Sequence, residues 1–484
     1  MKTSQNYSLM DYSNFLSMNH EISLVVVMIL VLLADLTIGG KNKRVSQIMS
    51  IGLFLAHTIL CFQWSNSYSP TEAFSGMYLT SEIHMFVKNM LNIGTVLVFL
   101  YAYYWNTHEN ESHAGEFYFL TLSTLLGMYL MISSGNFLLF YIGLETASIP
   151  MATLVAMNKK KEESAEAAAK YVLTAAFSSG VMIFGISLIY ATCGTLYFDG
   201  ISDHFSDLNL SIMGLVFFIA GIGFKISLVP FHLWTADTYQ GAPTSVTAYL
   251  SVISKGAAAF AFMCILMKAF SNYPDVWKEI MWWIIVITIT VGNLFAIRQK
   301  NLKRFLAFSS ISQAGYIMLG VIAGSEQGMA SLVFYTLIYM FTNLAAFGII
   351  SSIEDQTGKV SMDDYDGLYD TNPKLAVVMM LAMFSLGGIP PFAGFFSKFF
   401  IFMAAAEQQQ YLLVFLALLN TIISLYYYLL VVKAMFIKKS DNPIPTIKID
   451  NMSKVGLIIC TICILALGFI SPLYTFISER SFGF

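Results

Sequence analysis

The 484 residues are 57% hydrophobic and only 11% charged, with a formal net charge of −3. Soluble chains carry about 25% charged residues. The shortage here runs along the whole chain, which excludes a soluble domain on a single anchor. The balanced charge gives no reason to expect a nucleic-acid partner.

A membrane-crossing helix takes about 20 mostly apolar residues, so with loops this length holds roughly fourteen of them. In chain order, spans are predicted at 22–40, 46–63, 85–106, 116–133, 135–157, 168–193, 210–236, 244–270, 278–298, 303–324, 328–353, 374–404, 410–437 and 453–476. The expected fold class is an all-α integral membrane protein, a single transmembrane domain over 1–484 with a polar extension at 1–20. The second span is the weakest, because it is short and carries His57 and Gln63. No secretory signal peptide is expected, since the first apolar run is too long and lacks a cleavage site.

Lys41, Lys43 and Arg44 follow span 1, and Lys159, Lys160 and Lys161 follow span 5. Arg298, Lys300, Lys303 and Arg304 join spans 9 and 10, and Lys438 and Lys439 follow span 13. All of these loops follow odd-numbered spans, whereas the 194–210 loop after span 6 is acidic through Asp199, Asp203 and Asp207. The positive-inside rule makes the odd loops cytoplasmic, so both termini are expected outside the cytoplasm. The acidic 354–370 stretch dissents, which the rule tolerates because Asp and Glu contribute little to it. Trp64, Trp105, Trp234 and Trp277 fall near span ends, as an aromatic belt requires.

Gly221 and Gly223 stand within an apolar helix without the third glycine of a nucleotide-binding turn. No place for NADH, flavin, haem or an iron–sulfur cluster is therefore expected in this chain. Of the five cysteines, Cys460 and Cys463 form a CxxC inside the last span. With no second pair or histidine nearby, they read as small packing residues rather than redox or metal ligands. Glycines 221, 223, 315, 320 and 348 read as close-packing positions between helices.

The informative residues are charges inside spans, each of which costs about 2.5–3.5 kcal/mol at mid-membrane. They are Glu145 in span 5, Lys225 in span 7, Lys255 in span 8 and Lys398 in span 12. Lys268 and Lys433 lie near span ends, where snorkelling explains them. Asp35 fits either an interface position or a contact to a neighbouring subunit. Desolvation disfavours an ammonium and a nearby carboxylate favours it. A Glu145–Lys225 pair that is made and broken would thus act as a proton switch, with Lys255 and Lys398 relaying onward.

Two spans are interrupted. Pro230 breaks span 7, and Gly387, Gly388, Pro390, Pro391 and Gly394 break span 12. In lipid such breaks persist only where protein or water satisfies the freed backbone. Interrupted helices at related places point to inverted repeats, spans 4–8 over 116–270 and spans 9–13 over 278–437, followed by the C-terminal helix 453–476. Plain proline kinks are the alternative. His232, just past the first break, either exchanges protons or caps the local backbone. Ser309, Ser310, Ser312, Gln313 and Tyr316 make span 10 unusually polar, either holding water beside Lys255 or Lys398 or bonding between helices.

The stretches GFKISLVPFHLWTADTYQGAPTSVTAYLSVISK (223–255), RQKNLKRFLAFSSISQAGYIMLG (298–320), FYIGLETASIPMATLVA (140–156), EAAAKYVLTAAFSSGVMIFGISLIYATCGTL (166–196) and FSLGGIPPFAGFFSKF (384–399) occur in this order. They resemble the antiporter-like subunits of bacterial NADH–quinone oxidoreductase (respiratory complex I), nearest to the subunit N group related to mitochondrial subunit 2. The resemblance covers about 20–476. It implies fourteen helices, two inverted five-helix repeats and a proton channel. Glu145, Lys225, Lys255 and Lys398 match the family's lysines and glutamate on helices 5, 7, 8 and 12. The longest sister subunit adds a lateral helix for which there is no room here, and the middle one resembles a pattern with glutamate where Lys398 stands. Mrp-type sodium/proton antiporter subunits can share that lysine and form the alternative reading. The resemblance further implies other membrane subunits as partners, with NADH, quinone, flavin and iron–sulfur clusters bound in those partners.

Overall fold

The computed structural model describes residues 13–40, 42–65, 71–206 and 209–481. Most of the polar N-terminal extension, together with Lys41 and Asp207, lies outside the described residues.

Helices α1 (Asn19–Gly39) and α2 (Lys43–Ser65) lead to a hairpin of β1 (Thr71–Ala73) and β2 (Tyr78–Thr80). Then come α3 (Glu82–His108), α4 (Ala114–Ile132), α5 (Phe137–Val155) and α6 (Glu162–Cys193). Two shorter pieces follow, α7a (Asn209–Ile226) and α7b (Leu233–Gly241). Next are α8 (Thr244–Ala269), α9 (Pro274–Ala296), α10 (Leu302–Ala323) and α11 (Glu326–Thr357). A second divided helix gives α12a (Pro373–Gly387) and α12b (Ala393–Glu407), before α13 (Tyr411–Phe436), α14 (Asn451–Ala466) and α15 (Ser471–Ser481).

Among the described residues, twelve helices are long and apolar enough to cross a membrane, with α12a and α14 as shorter apolar helices. The first thirteen predicted spans each overlay a helix or a divided pair, whereas the last, 453–476, falls on α14, which ends at Ala466, and the start of the separate α15. The apolar pattern accounts for the packing: α10 and α11 are buried over their whole apolar windows, whereas α6 shows most of its surface. Exposed Leu173, Phe177 and Phe184 on α6 form a lipid-facing side. Local signals set the helix ends. Asn136, Asn301, Ser325 and Asp450 accept first-turn N–H groups with their side chains. α4 and α5 approach backbone to backbone through Gly127 and Gly143: a Cβ on Gly127 would stand 2.3 Å from Ala147 N.

The loops sort onto two faces. On one face, Tyr78 bridges to Ser134, Asn136 bridges to Tyr197, and Ser202 bonds Ser271 at 2.7 Å. The C-terminal Arg480 also meets Glu82 there at 3.3 Å. On the other, Met362 N donates to Lys300 O and Leu302 N to Val360 O, so the 9–10 and 11–12 loops run side by side. The acidic stretch that broke the charge pattern lies on this basic face. Glu354 contacts Lys161 at 3.3 Å and Lys303 at 3.4 Å, and Asp366 contacts Lys438 at 3.3 Å. Its carboxylates neutralise lysines of neighbouring loops.

Candidate proton path

Glu145 and Ser148 stand one turn apart on α5, a rise of about 4.5 Å. Glu145 is half-buried and accepts a hydrogen bond from Ser179 on α6 at 2.5 Å. Lys225 is 4% exposed and donates to Ser148 at 2.8 Å. Lys225 of α7a is thus bound one turn along α5 from Glu145, each of the two charges is held by a serine, and no direct ion pair joins them among the described residues.

Just after Lys225 the helix stops. Ser227 takes a left-handed φ of 69°, and the Val229–Pro230 peptide is cis. Protein groups absorb the freed backbone: Leu228 N donates to Gly223 O, Val229 N to Thr288 Oγ1 at 3.0 Å, and Trp234 Nε1 to Phe224 O at 3.0 Å. The second break has the same outline. Gly388 is left-handed at φ 78°, the Pro390–Pro391 peptide is cis, and Gly394 N donates to Ser385 Oγ at 3.1 Å. These breaks are interruptions between two separate helices, not kinks of a continuous one. The lysines take opposite sides of them, however: Lys225 ends α7a, while Lys398 lies on α12b. Lys398 turns back and donates to Leu386 O at the end of α12a, at 2.8 Å. A side chain at Gly388 would crowd it, with a Cβ 3.0 Å from Lys398 Cδ.

Lys255 follows a π-helical turn, Leu250–Ser254, and is 1% exposed. Its ammonium donates to Ser310 Oγ at 2.9 Å and lies 5.6 Å from the centre of the Tyr239 ring. The Lys398 ammonium lies 5.2 Å from the centre of the Tyr316 ring. Ser310 and Tyr316 are both on α10, about 9 Å apart along its axis. Gln313 stands midway, accepting from Tyr335 and donating to Tyr428 at 3.1 Å. Ser309 bonds the same Tyr428 hydroxyl at 2.5 Å, and Tyr427 donates to Asn293 at 2.9 Å. One buried helix face therefore connects the surroundings of two lysines.

Between the first break and Lys255, Ser227 Oγ, Thr235 Oγ1 and Thr238 Oγ1 are buried without a hydrogen-bond partner among the described residues. Buried polar groups are rarely left so. His232 is half-buried, makes no side-chain cap, and its Nδ1 has no partner. No hydrogen bond joins it to Lys225 or Lys255 among the described residues. Lys433 is exposed and Lys268 half-buried near helix ends, as expected of snorkelling residues. Asp35 lies in a π-turn against Gly115. Cys460 is buried against the Tyr101 hydroxyl at 3.3 Å, and no cluster of potential metal ligands occurs among the described residues.

Sequence reasoning missed two charge clusters. Asp237 on α7b contacts Lys170 of α6 at 2.8 Å and Arg304 of α10 at 2.5 Å. Lys88, near the start of α3, pairs with Glu21 of α1 at 2.6 Å with both side chains buried. Their signal was weak because each lies close to a span end, where charge is ordinarily solvated.

A family model described as "NADH:quinone oxidoreductase/Mrp antiporter, TM" matches residues 134–424, which contain Glu145 and the three lysines. NADH-quinone oxidoreductase subunit N of Phocaeicola vulgatus is 56% identical over 98% of this chain and 100% of its own length. The chain belongs to the NADH-quinone oxidoreductase subunit N family. A chain of respiratory complex I from Thermus thermophilus, solved with bound aureothin, superposes with a TM-score of 0.78 at 28% identity, over 94% of this chain and 98% of that one. A chain of the Mrp complex from Dietzia superposes with a TM-score of 0.83 over 98% of this chain and 97% of that one. At 20% identity the Mrp likeness shows the fold alone. As a member of the subunit N family, the chain is a multi-pass membrane protein of the antiporter-like type.

Proposed function

We propose that the chain is a proton-translocating membrane subunit of an NADH–quinone oxidoreductase. Glu145, Lys225, Lys255 and Lys398 form its central relay, and oxidation of NADH and reduction of quinone take place in partner subunits. Flavin and iron–sulfur clusters belong to those partners as well. The observation that carries the proposal is the polar face of α10: Ser310 accepts from Lys255, the Tyr316 ring lies against Lys398, and Gln313 stands between them in its own hydrogen bonds to Tyr335 and Tyr428. Two buried lysines set against one polar helix face suit an intramembrane proton relay. Near the first break, water meets the unpartnered hydroxyls of Ser227, Thr235 and Thr238 and extends the path from Lys225 to Lys255.

The one-turn spacing of Glu145 and Ser148, the residue that holds Lys225, suits a switch. Movement of Lys225 from Ser148 to Glu145 stabilises its ammonium, and the return favours release. His232 serves at the end of the broken segment as a proton carrier, with Pro230, Pro390 and Pro391 keeping both breaks open. Counting each divided helix once gives fourteen crossings, arranged as repeats over 116–270 and 278–437 with a closing helix at 453–476. The basic face is cytoplasmic and both termini lie outside, in a bacterial inner membrane.

An Mrp-type sodium/proton antiporter subunit is the less supported reading, since that likeness rests on 20% identity against 56% for subunit N. The test uses Lys398→Met in membrane vesicles, with proton uptake and NADH-driven quinone reduction recorded together. Proton uptake per assembled complex is expected to collapse, with or without loss of oxidation. Wild-type uptake in the assembled variant would remove Lys398 from the path. Sodium-dependent uptake would favour the antiporter.

A further inference from the structure

The buried Lys88–Glu21 pair is set apart from the α10 strip by its elements. It joins α1 to α3 beneath the β1–β2 hairpin, and the pair is closed over by Tyr78 of β2. Tyr78 OH donates to Glu21 Oε2 at 2.8 Å, and Lys88 Nζ donates to Glu21 Oε1 at 2.6 Å and to the Tyr78 hydroxyl at 3.1 Å. Lys88 is 0% exposed and Glu21 3%. For stability alone such a pair is a poor device, because taking two charges out of water costs about as much as their attraction returns.

Polar and aromatic groups continue inward from the pair. The Lys88 ammonium lies 5.5 Å from the centre of the Tyr129 ring, and Tyr129 OH donates to Asn92, one turn deeper than Lys88. His57 bonds Ser23 at 2.8 Å through Nδ1 and meets Tyr129 OH at 3.4 Å through Nε2. His20, 1% exposed, packs edge-on against the rings of Trp64 and Tyr129. Inward along α4, Thr124 donates to the Tyr249 hydroxyl at 2.9 Å, and Tyr249 precedes Lys255 on the same helix.

We propose that Lys88 and Glu21 form a second proton-holding site, placed between Lys255 and the face that carries the hairpin, and that the hairpin is its cover. This rests on the proton-relay reading of the chain. The transfer is simple and balanced. An N–H bond of the Lys88 ammonium breaks as an O–H bond forms on Glu21 Oε1, with no electrons exchanged. The pair passes from ammonium and carboxylate to amine and carboxylic acid, and its net charge stays zero. Glu21 then gives its proton to solvent beyond Tyr78, and Lys88 takes another from the Asn92–Tyr129 side. The contact is already a direct hydrogen bond, so this first step crosses no gap.

Arginine separates a relay from a brace, because it keeps the charge and the ion pair but does not release its proton. Lys88→Arg and Glu21→Gln are compared with wild type and with Lys225→Ala in vesicles. Assembly is read from NADH oxidation with a water-soluble acceptor, and proton uptake is normalised to it. Glu21→Gln keeps the size and the acceptor oxygen, so it decides the matter if the arginine variant does not assemble. Both variants are expected to lose at least about tenfold in proton uptake per assembled complex, a barrier increase of about 1.4 kcal/mol. If both pump as wild type while Lys225→Ala does not, the pair is a structural brace and the inference is overturned. If Lys225→Ala also pumps as wild type, the proton-relay reading fails and this site falls with it.

Discussion

Replacement of Gln313 by leucine removes the middle of the α10 strip at nearly constant volume. The wild-type amide accepts from Tyr335 and donates to Tyr428 at 3.1 Å, and Gln313 is only 2% exposed. Tyr428 keeps its bond to Ser309 at 2.5 Å, so one buried hydroxyl, that of Tyr335, loses its acceptor. An orphaned buried group costs about 1–3 kcal/mol. Within membranes, hydrogen bonds between helices average about 0.6 kcal/mol and reach about 1.7. The two ranges overlap at about 1–1.7 kcal/mol, which a well-packed bundle absorbs, so the variant is expected to assemble. A relay has no such reserve. A barrier raised by about 1.4–2.7 kcal/mol slows transfer about 10- to 100-fold. Proton uptake by vesicles, normalised to assembled complex, should therefore fall by that factor while subunit content stays near wild type. Full uptake in the assembled variant would refute the role given to the α10 strip.

Ser148→Ala takes away the oxygen that holds Lys225 at 2.8 Å, and proton uptake is expected to drop with assembly preserved; unchanged uptake would free Lys225 from that placement. Gly127→Leu puts a Cβ 2.3 Å from Ala147 N, so α4 and α5 are forced apart and assembled complex should be scarce on native gels. Asn301→Ala removes the acceptor of Lys303 N and Arg304 N at the start of α10, at a cost of about 1 kcal/mol. A shorter half-life of thermal inactivation at unchanged initial activity would show it.

The architecture was legible from composition because lipid imposes one rule, that backbone polar groups be satisfied within helices. The predicted spans overlay helices or divided helices, and the breaks in spans 7 and 12 fall where the prolines and glycines stand. Lys225, Lys255 and Lys398 were legible for the same reason, since a mid-membrane charge is costly wherever it occurs. The relation between them was not. That Ser148 rather than Glu145 receives Lys225, and that Ser310 receives Lys255, depends on how α5, α7a, α8 and α10 dock, which no local pattern encodes. The acidic 354–370 stretch looked contrary to the charge rule because its partners, Lys161, Lys303 and Lys438, come from distant loops. Lys88 and Glu21 escaped notice since a charge near a span end is ordinarily solvated, whereas here they are buried against each other and Tyr78 of the hairpin.

The central claim is that protons cross the membrane through this chain. Lys225→Ala tests it most directly, with NADH-driven quinone reduction and proton uptake recorded together in vesicles beside wild type. The account predicts that uptake falls, with or without a parallel loss of oxidation, while the complex remains assembled. Both rates at wild-type values would contradict it.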